Sequence, residues 1–167
     1  MGADIKSIEP VVNNTFLLVM FSMLKWGIVT NISPKKLGEY DEVIIWGPIW
    51  AGALIAPLRN VIKKCVRASK NIHFAVTCET AEKDKDRNYG YMNALSEARK
   101  IGGTFAKTTD AFSLAILKED DAIWSPKQEE KTIITETSFN HIFSSKFDDY
   151  IGNFRVEDSV KGKLYAV

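Results

Sequence analysis

The residues best placed to do chemistry form the short segment from Gly47 to Gly52, with the sequence GPIWAG. The two glycines and Pro48 stiffen the chain around Trp50, directly after an apolar stretch of strand length. In an open α/β sheet, ligands bind at the carboxyl ends of the strands, so Trp50 is placed to lie against a flat ligand. The alternative is that Trp50 packs against its own neighbours, as large aromatic side chains do in protein cores.

Cysteine and histidine offer little further chemistry. Cys65 and Cys78 are too few for a disulfide framework and lack metal-ligand spacing, which fits a protein of the reducing cytoplasm. Cys65 falls on the apolar face of a predicted helix and is expected to be inert, whereas Cys78 follows a predicted strand. His73 and His141 have no evident nucleophile partner and are interpreted as structural or surface residues. No G-x-S-x-G motif supports a hydrolase.

Length and composition indicate one globular domain over residues 1–167, with 46% apolar residues to build its core. The 22 basic and 21 acidic residues nearly cancel, so the net charge gives no footprint of a nucleic-acid or anionic-membrane partner. No signal peptide pattern is expected at the N-terminus. The apolar segment 16–24 is shorter than the ~20 residues of a membrane span and predicts a buried helix, the alternative being an interfacial membrane anchor.

The elements that must position Trp50 alternate between strand and helix patterns. Apolar runs predict strands over 4–8, 42–46 and 72–76, with a further extended region from 105 that includes Phe112, Leu114 and Ile116 unless Asp110 caps a helix there. Helical spacing predicts helices over 11–26, 54–67, 89–100 and 139–154. In the second of these, the polar face is predicted to carry Arg59, Lys63, Lys64 and Arg67. This alternation predicts an α/β fold with βαβ units and a mainly parallel sheet.

Three stretches carry a family resemblance: YDEVII at 40–45, PIWAG with APL beyond it at 48–58, and KNIHFAVTC at 70–78. Together they resemble the flavodoxin-like family, and within it the small FMN-binding proteins and the NAD(P)H:quinone or FMN reductases. The resemblance covers most of residues 2–117. It implies a flavodoxin-like three-layer αβα sandwich.

In such proteins, two loops lie against the ring of FMN. Carried over by position, the resemblance implies that the first loop comprises Pro48, Ile49, Trp50, Ala51 and Gly52. It implies that the second comprises Thr77, Cys78 and Glu79, with Tyr89 reaching in. The flavin would supply the electron chemistry, and no side chain stands out as an acid or base.

The sequence departs from the family at its N-terminus, which is expected to be truncated or rearranged. Residues 1–5 resemble the start of the family's second strand, and no phosphate-binding loop precedes residue 41. The family's first strand is central in the sheet, so in this chain the slot between the second and third strands must be filled or closed in another way. Strands two and three could pair directly, the segment 163–167 could fill the slot, or a second copy could supply the edge. Trp46-Gly47 also stands where the family usually has Gly followed by Thr or Ser, and the bulky Trp46 could occupy space that the cofactor needs.

Two functions follow from the resemblance. The first is an FMN-dependent redox protein that moves electrons or hydride between a nicotinamide donor, or a redox partner protein, and an acceptor. The second is a flavodoxin-like domain without flavin that serves as an interaction module. Apolar surface left by a missing central strand predicts a homodimer in either case.

Overall fold

The structure is a computed structural model that describes residues 3–113, 144–152 and 164–166. Its strands are β1 (Ala3–Ile5), β2 (Glu42–Trp50), β3 (Ala53–Leu54), β4 (Asn71–Cys78), β5 (Ala106–Ser113) and β6 (Leu164–Ala166). Its helices are α1 (Thr15–Met23), α2 (Pro34–Leu37), α3 (Ala56–Arg67), α4 (Tyr91–Gly102) and α5 (Ser144–Gly152). Of the positions named above, Leu114, Ile116 and His141 lie outside the described residues, as do 139–143 and 153–154 of the last predicted helix.

Helix α3 shows how the sequence pattern becomes local structure. Pro57 stands in the first turn, where its missing N–H leaves no intrahelical bond unmade. The apolar positions recur every three or four residues, which turns one stripe of the helix into the core. Helix α4 ends at Gly103, whose φ of 56° suits glycine better than any other residue. The predictions of these two helices are confirmed.

The strands form a sheet in the order β1-β6-β2-β4-β5, with β3 paired to β2 beside this path. The pairings of β1 with β6, β6 with β2, β2 with β4, and β4 with β5 are parallel. The pairing of β2 with β3 is antiparallel, because a tight turn folds the chain directly back on itself. The predicted α/β class is confirmed. The prediction of a mainly parallel sheet is corrected: the sheet is mixed, because β3 pairs antiparallel with β2.

Strand β6 occupies the slot between β1 and β2. Asp4 pairs with Tyr165, and Val43 on the other side pairs with the same residue. Among the three arrangements considered from the sequence, filling of the slot by the segment 163–167 is therefore confirmed for Leu164–Ala166.

The core lies mainly on one face of the sheet, where α3 and α4 pack against alternate residues of β2 and β4 such as Ile45 and Phe74. On the other face, Trp46 stacks on Phe112 with 4.5 Å between ring centroids. Phe147 and Tyr150 of α5 lie against the same two rings. The described aromatic side chains of α5 therefore form a packing surface against the sheet.

Helix α1 corrects one prediction. The apolar segment 16–24 does form a helix, but Ser22 is the buried residue of α1 and Phe16 and Met23 are exposed. The prediction of a buried helix relied on hydropathy alone. In the structure, the helix packs on α3 with one side and exposes apolar side chains to solvent with another.

Candidate functional site

The predicted first loop is a β-hairpin. Strand β2 continues through Pro48 to Trp50, and Trp50 pairs with Ala53 across a two-residue turn. Ala51 and Gly52 have φ values of 47° and 73°, as a type I′ turn requires at both central positions. The predicted loop began at Pro48, but Pro48, Ile49 and Trp50 still belong to strand β2. Gly47 lies inside the same strand, where a Cβ atom would meet the Leu58 side chain at 3.0 Å.

The hairpin divides the five predicted residues into two groups. Pro48 and Ala51 are exposed at its surface. Ile49 and Trp50 are half-buried and pack against the core, and Gly52 is buried. Trp50 therefore follows the alternative given for it, packing against its neighbours, while part of its side chain remains accessible.

The predicted second loop begins as the end of β4. Thr77 pairs with Pro48 of β2, and Cys78 is buried. Burial raises the pKa of the Cys78 thiol, so this residue is not an activated nucleophile. Glu79 is exposed beyond it. Thr80 then accepts a hydrogen bond from Ser113 through its carbonyl (2.6 Å), which ties the loop to the end of β5.

The two predicted loops touch each other at Gly52. A Cβ atom on Gly52 would lie 2.8 Å from the Tyr89 Cα atom and 2.7 Å from the Tyr89 carbonyl carbon. Only glycine allows this approach. Tyr89 itself is 71% exposed, beside the hairpin turn. The structure thus brings the hairpin and the segment around Tyr89 together at the carboxyl end of the sheet.

An ionic and hydrogen-bonded cluster shapes the segment that carries Tyr89. Lys85 donates to Glu82 at 2.7 Å, and the Tyr91 hydroxyl donates to the same carboxylate. These hydrogen bonds, that from Lys85 first, hold the pKa of Glu82 below its usual value. Arg87 pairs with Asp84 at 2.9 Å. Sequence reasoning missed this cluster because a run of alternating charges indicates only a solvated loop.

A second polar network lies at the opposite, amino-terminal edge of the sheet. His73 Nε2 lies 2.8 Å from a Glu42 carboxylate oxygen, and Nδ1 lies 3.1 Å from the Thr108 hydroxyl. Asn71 donates to the other oxygen of Glu42 at 2.9 Å. Burial lowers the pKa of His73, although the hydrogen bond and charge of Glu42 oppose that shift. His73 has the structural role predicted for it, but its hydroxyl neighbour Thr108 could not be found from sequence, since 35 residues separate them.

Comparisons with known proteins identify no relative. No family model, no curated protein and no solved structure matches the chain. Across the described ranges, every helix falls short of the length and apolar character that crossing a membrane requires.

Proposed function

We propose that this protein is a flavodoxin-like redox protein that binds FMN at the hairpin and transfers electrons or hydride. Its strand order supports the proposal. The order β1-β6-β2-β4-β5 has the form of the family's 2-1-3-4-5, with β6 standing where the family has its first strand. In this scheme the helices on the two faces of the sheet make a three-layer sandwich.

The observation that carries the proposal is the contact of Gly52 with Tyr89. It joins the ends of two neighbouring strands into one surface that bears an exposed phenol ring and an accessible part of Trp50. Pro48 and Glu79 are exposed on the same strand ends. The rings of Tyr89 and Trp50 and the apolar Pro48 suit the flat, neutral ring of an oxidised flavin, and the flavin supplies the redox chemistry when bound.

The described residues offer fewer groups that could bind the phosphate of FMN. A helix N-terminus binds phosphate through free backbone N–H groups. The Ala56 N–H of α3 donates instead to Ser22 Oγ (2.9 Å), and the Met92 N–H of α4 donates to the Lys85 carbonyl (3.1 Å). The Leu17 N–H of α1 is capped by Asn14. In the described part of the chain, the residues therefore fit the ring of the cofactor better than its phosphate.

These engaged helix ends favour a second candidate function. A flavodoxin-like domain without flavin would keep the same sheet and serve as an interaction module, as a homodimer. Both candidates suit the cytoplasm, because Cys65 and Cys78 are both free thiols.

Titration with FMN and with riboflavin, followed by quenching of flavin fluorescence, tests the proposal. If the hairpin binds the ring alone, both flavins bind with the same affinity. If a phosphate site also exists, FMN binds more tightly. Replacing Tyr89 with Ala should weaken binding about threefold to tenfold, the usual contribution of one aromatic contact.

A glycine pair provides the matched control. Gly52→Ala should abolish binding by forcing the hairpin away from Tyr89. Gly103→Ala also alters a glycine of positive φ, but a Cβ there meets no atom within 4 Å, so flavin binding should persist. Absence of quenching by either flavin with the unaltered protein refutes the redox function and leaves the interaction module.

A further inference from the structure

Helix α1 carries an exposed apolar stripe. Phe16, Val19 and Met23 follow one another at spacings of three and four residues, so they share one face of the helix. Phe16 is 75% exposed and Met23 72% exposed. Apolar side chains scattered singly on a surface need no explanation, but a contiguous set marks an interaction site.

Further exposed apolar side chains lie on the chain that flanks α1. The Val11 N–H donates to the Val29 carbonyl at 2.9 Å, which holds these two exposed valines side by side. Trp26, also exposed, lies 5.8 Å from the ring of Phe21 on α1. We call the exposed apolar side chains of α1 and of the chain on either side of it the α1 patch: Val11, Phe16, Val19, Met23, Trp26 and Val29.

Helix α1 is fixed to the domain at Ser22. Ser22 Oγ accepts a hydrogen bond from the Ala56 N–H of α3 (2.9 Å). Arg59 of α3 donates to the carbonyl of Ser22 at 3.2 Å and to that of Trp26 at 2.9 Å. The apolar stripe is therefore presented outward by a helix that is anchored to the core.

The two stretches that carry the α1 patch and α3 contain basic residues and no acidic ones, and exposed Glu9 lies just before the first of them. No Asp or Glu occurs between Pro10 and Gly38, or between Ala56 and Lys70. The exposed cations of these two stretches include Lys25, Lys35, Lys63 and Arg67. The nearly balanced charge of the whole chain conceals this separation.

Helix α3 brings two of these cations to the patch. Asn60 contacts Gly27, and its side-chain oxygen accepts a hydrogen bond from the Thr30 hydroxyl at 3.3 Å. Lys63 and Arg67 follow Asn60 at spacings of three and four residues, so they lie on the same face of α3. Both therefore flank the chain that carries Trp26 and Val29.

We infer that the α1 patch docks on the surface of an anionic lipid bilayer. Its apolar side chains would enter the boundary between headgroups and acyl chains, with Trp26 at the interface and the cations against the headgroups. A second copy of this chain is a poorer occupant, because a symmetric contact would bring the same cations of both copies together. The inference is independent of flavin binding, which involves another surface.

Vesicle sedimentation tests this inference. We expect the protein to bind vesicles of phosphatidylcholine with about one-third phosphatidylglycerol, and to be released by high salt, which screens exposed charges. Vesicles of phosphatidylcholine alone should bind it weakly. Equal binding to both vesicle types, or none to either, overturns the inference.

Two pairs of variants assign the binding to the patch. Lys63→Gln with Arg67→Gln should lower partitioning about 30-fold, at about fivefold for each cation near the surface. Arg99→Gln with Lys100→Gln removes two exposed cations from α4 and should leave partitioning unchanged. Phe16→Gln with Met23→Gln should abolish binding without changing the unfolding midpoint, since both side chains are exposed.

Sedimentation velocity tests whether a second copy of this chain, rather than a bilayer, covers the α1 patch. Without vesicles, we expect Phe16→Gln with Met23→Gln to leave the sedimentation coefficient of the protein unchanged. A dimer that Phe16→Gln with Met23→Gln converts to monomers, together with no vesicle binding, would assign the patch to a second copy and overturn the inference.

Discussion

Replacing Arg59 with Met should destabilise the protein more than replacing any other charged residue of α3. The Arg59 side chain is 1% exposed and makes two hydrogen bonds to Glu97, at 2.6 and 3.2 Å. It also donates to the carbonyls of Ser22 and Trp26. One guanidinium thus joins α1, α3 and α4, and Met keeps the apolar stem of the side chain while removing every donor.

The size of the loss follows from what is left behind. Removing one partner of a buried ion pair costs about 3–5 kcal/mol, because the other charge stays buried without compensation. Glu97 is 16% exposed, so water can reach its carboxylate and the lower end, about 3 kcal/mol, applies. For a chain of this length that corresponds to a fall of about 6–12 °C in the melting temperature.

Urea unfolding followed by circular dichroism measures this loss. Lys63→Met on the same helix is the control, since its side chain is exposed and its replacement should change the free energy of unfolding by about 0.5 kcal/mol or less. A double-mutant cycle with Glu97→Met isolates the pair itself. If Arg59→Met costs under about 1 kcal/mol, the ion pair does not fasten the three helices.

Two further predictions concern buried titratable groups. Burial lowers the pKa of His73 from its ordinary 6.5, so the unfolded chain takes up a proton more readily and stability should fall as the pH drops below about 6.5. His73→Gln should flatten that fall in urea unfolding, and an unchanged slope would contradict the assignment. Burial raises the pKa of the Cys65 thiol to about 12, so at about pH 8 only about one thiol in ten thousand is ionised. Iodoacetamide should therefore label Cys65 in urea but not in the folded protein, and mass spectrometry showing native labelling would refute this.

Elements with strong local periodicity were predictable from the sequence. Helix α3 and strand β4 lie where apolar spacing placed them, because each buries a face that its own residues define. The hairpin after β2 was not predictable, since its turn puts Ala51, a poor turn residue, at a positive φ. Contact with Tyr89, far along the chain, accompanies that conformation.

The remaining errors came from partners that are distant in sequence. Arg59 was assigned to the solvent face of α3 because charged residues usually lie there. Its partner Glu97 is 38 positions away, and no local pattern could pair them. Helix α1 was assigned to the core because hydropathy does not distinguish a core helix from one that meets an interface. The candidate residues lie at the carboxyl end of the sheet, as the sequence predicted, but the hairpin they form could be found only from the structure.

The position of β6 between β1 and β2 has a kinetic consequence. Asp4 pairs with Tyr165, whereas Glu42 pairs with Asn71 in the centre of the sheet. Closing the loop between Asp4 and Tyr165 costs about 1.5 kcal/mol more in chain entropy than closing the loop between Glu42 and Asn71. Strands of three residues make few stabilising contacts until both neighbouring strands are in place. The β2-β4-β5 half of the sheet should therefore form first, from local βαβ contacts. The β1-β6 edge should be the last part of the sheet to protect its amide protons during refolding and the first to exchange them in the native state.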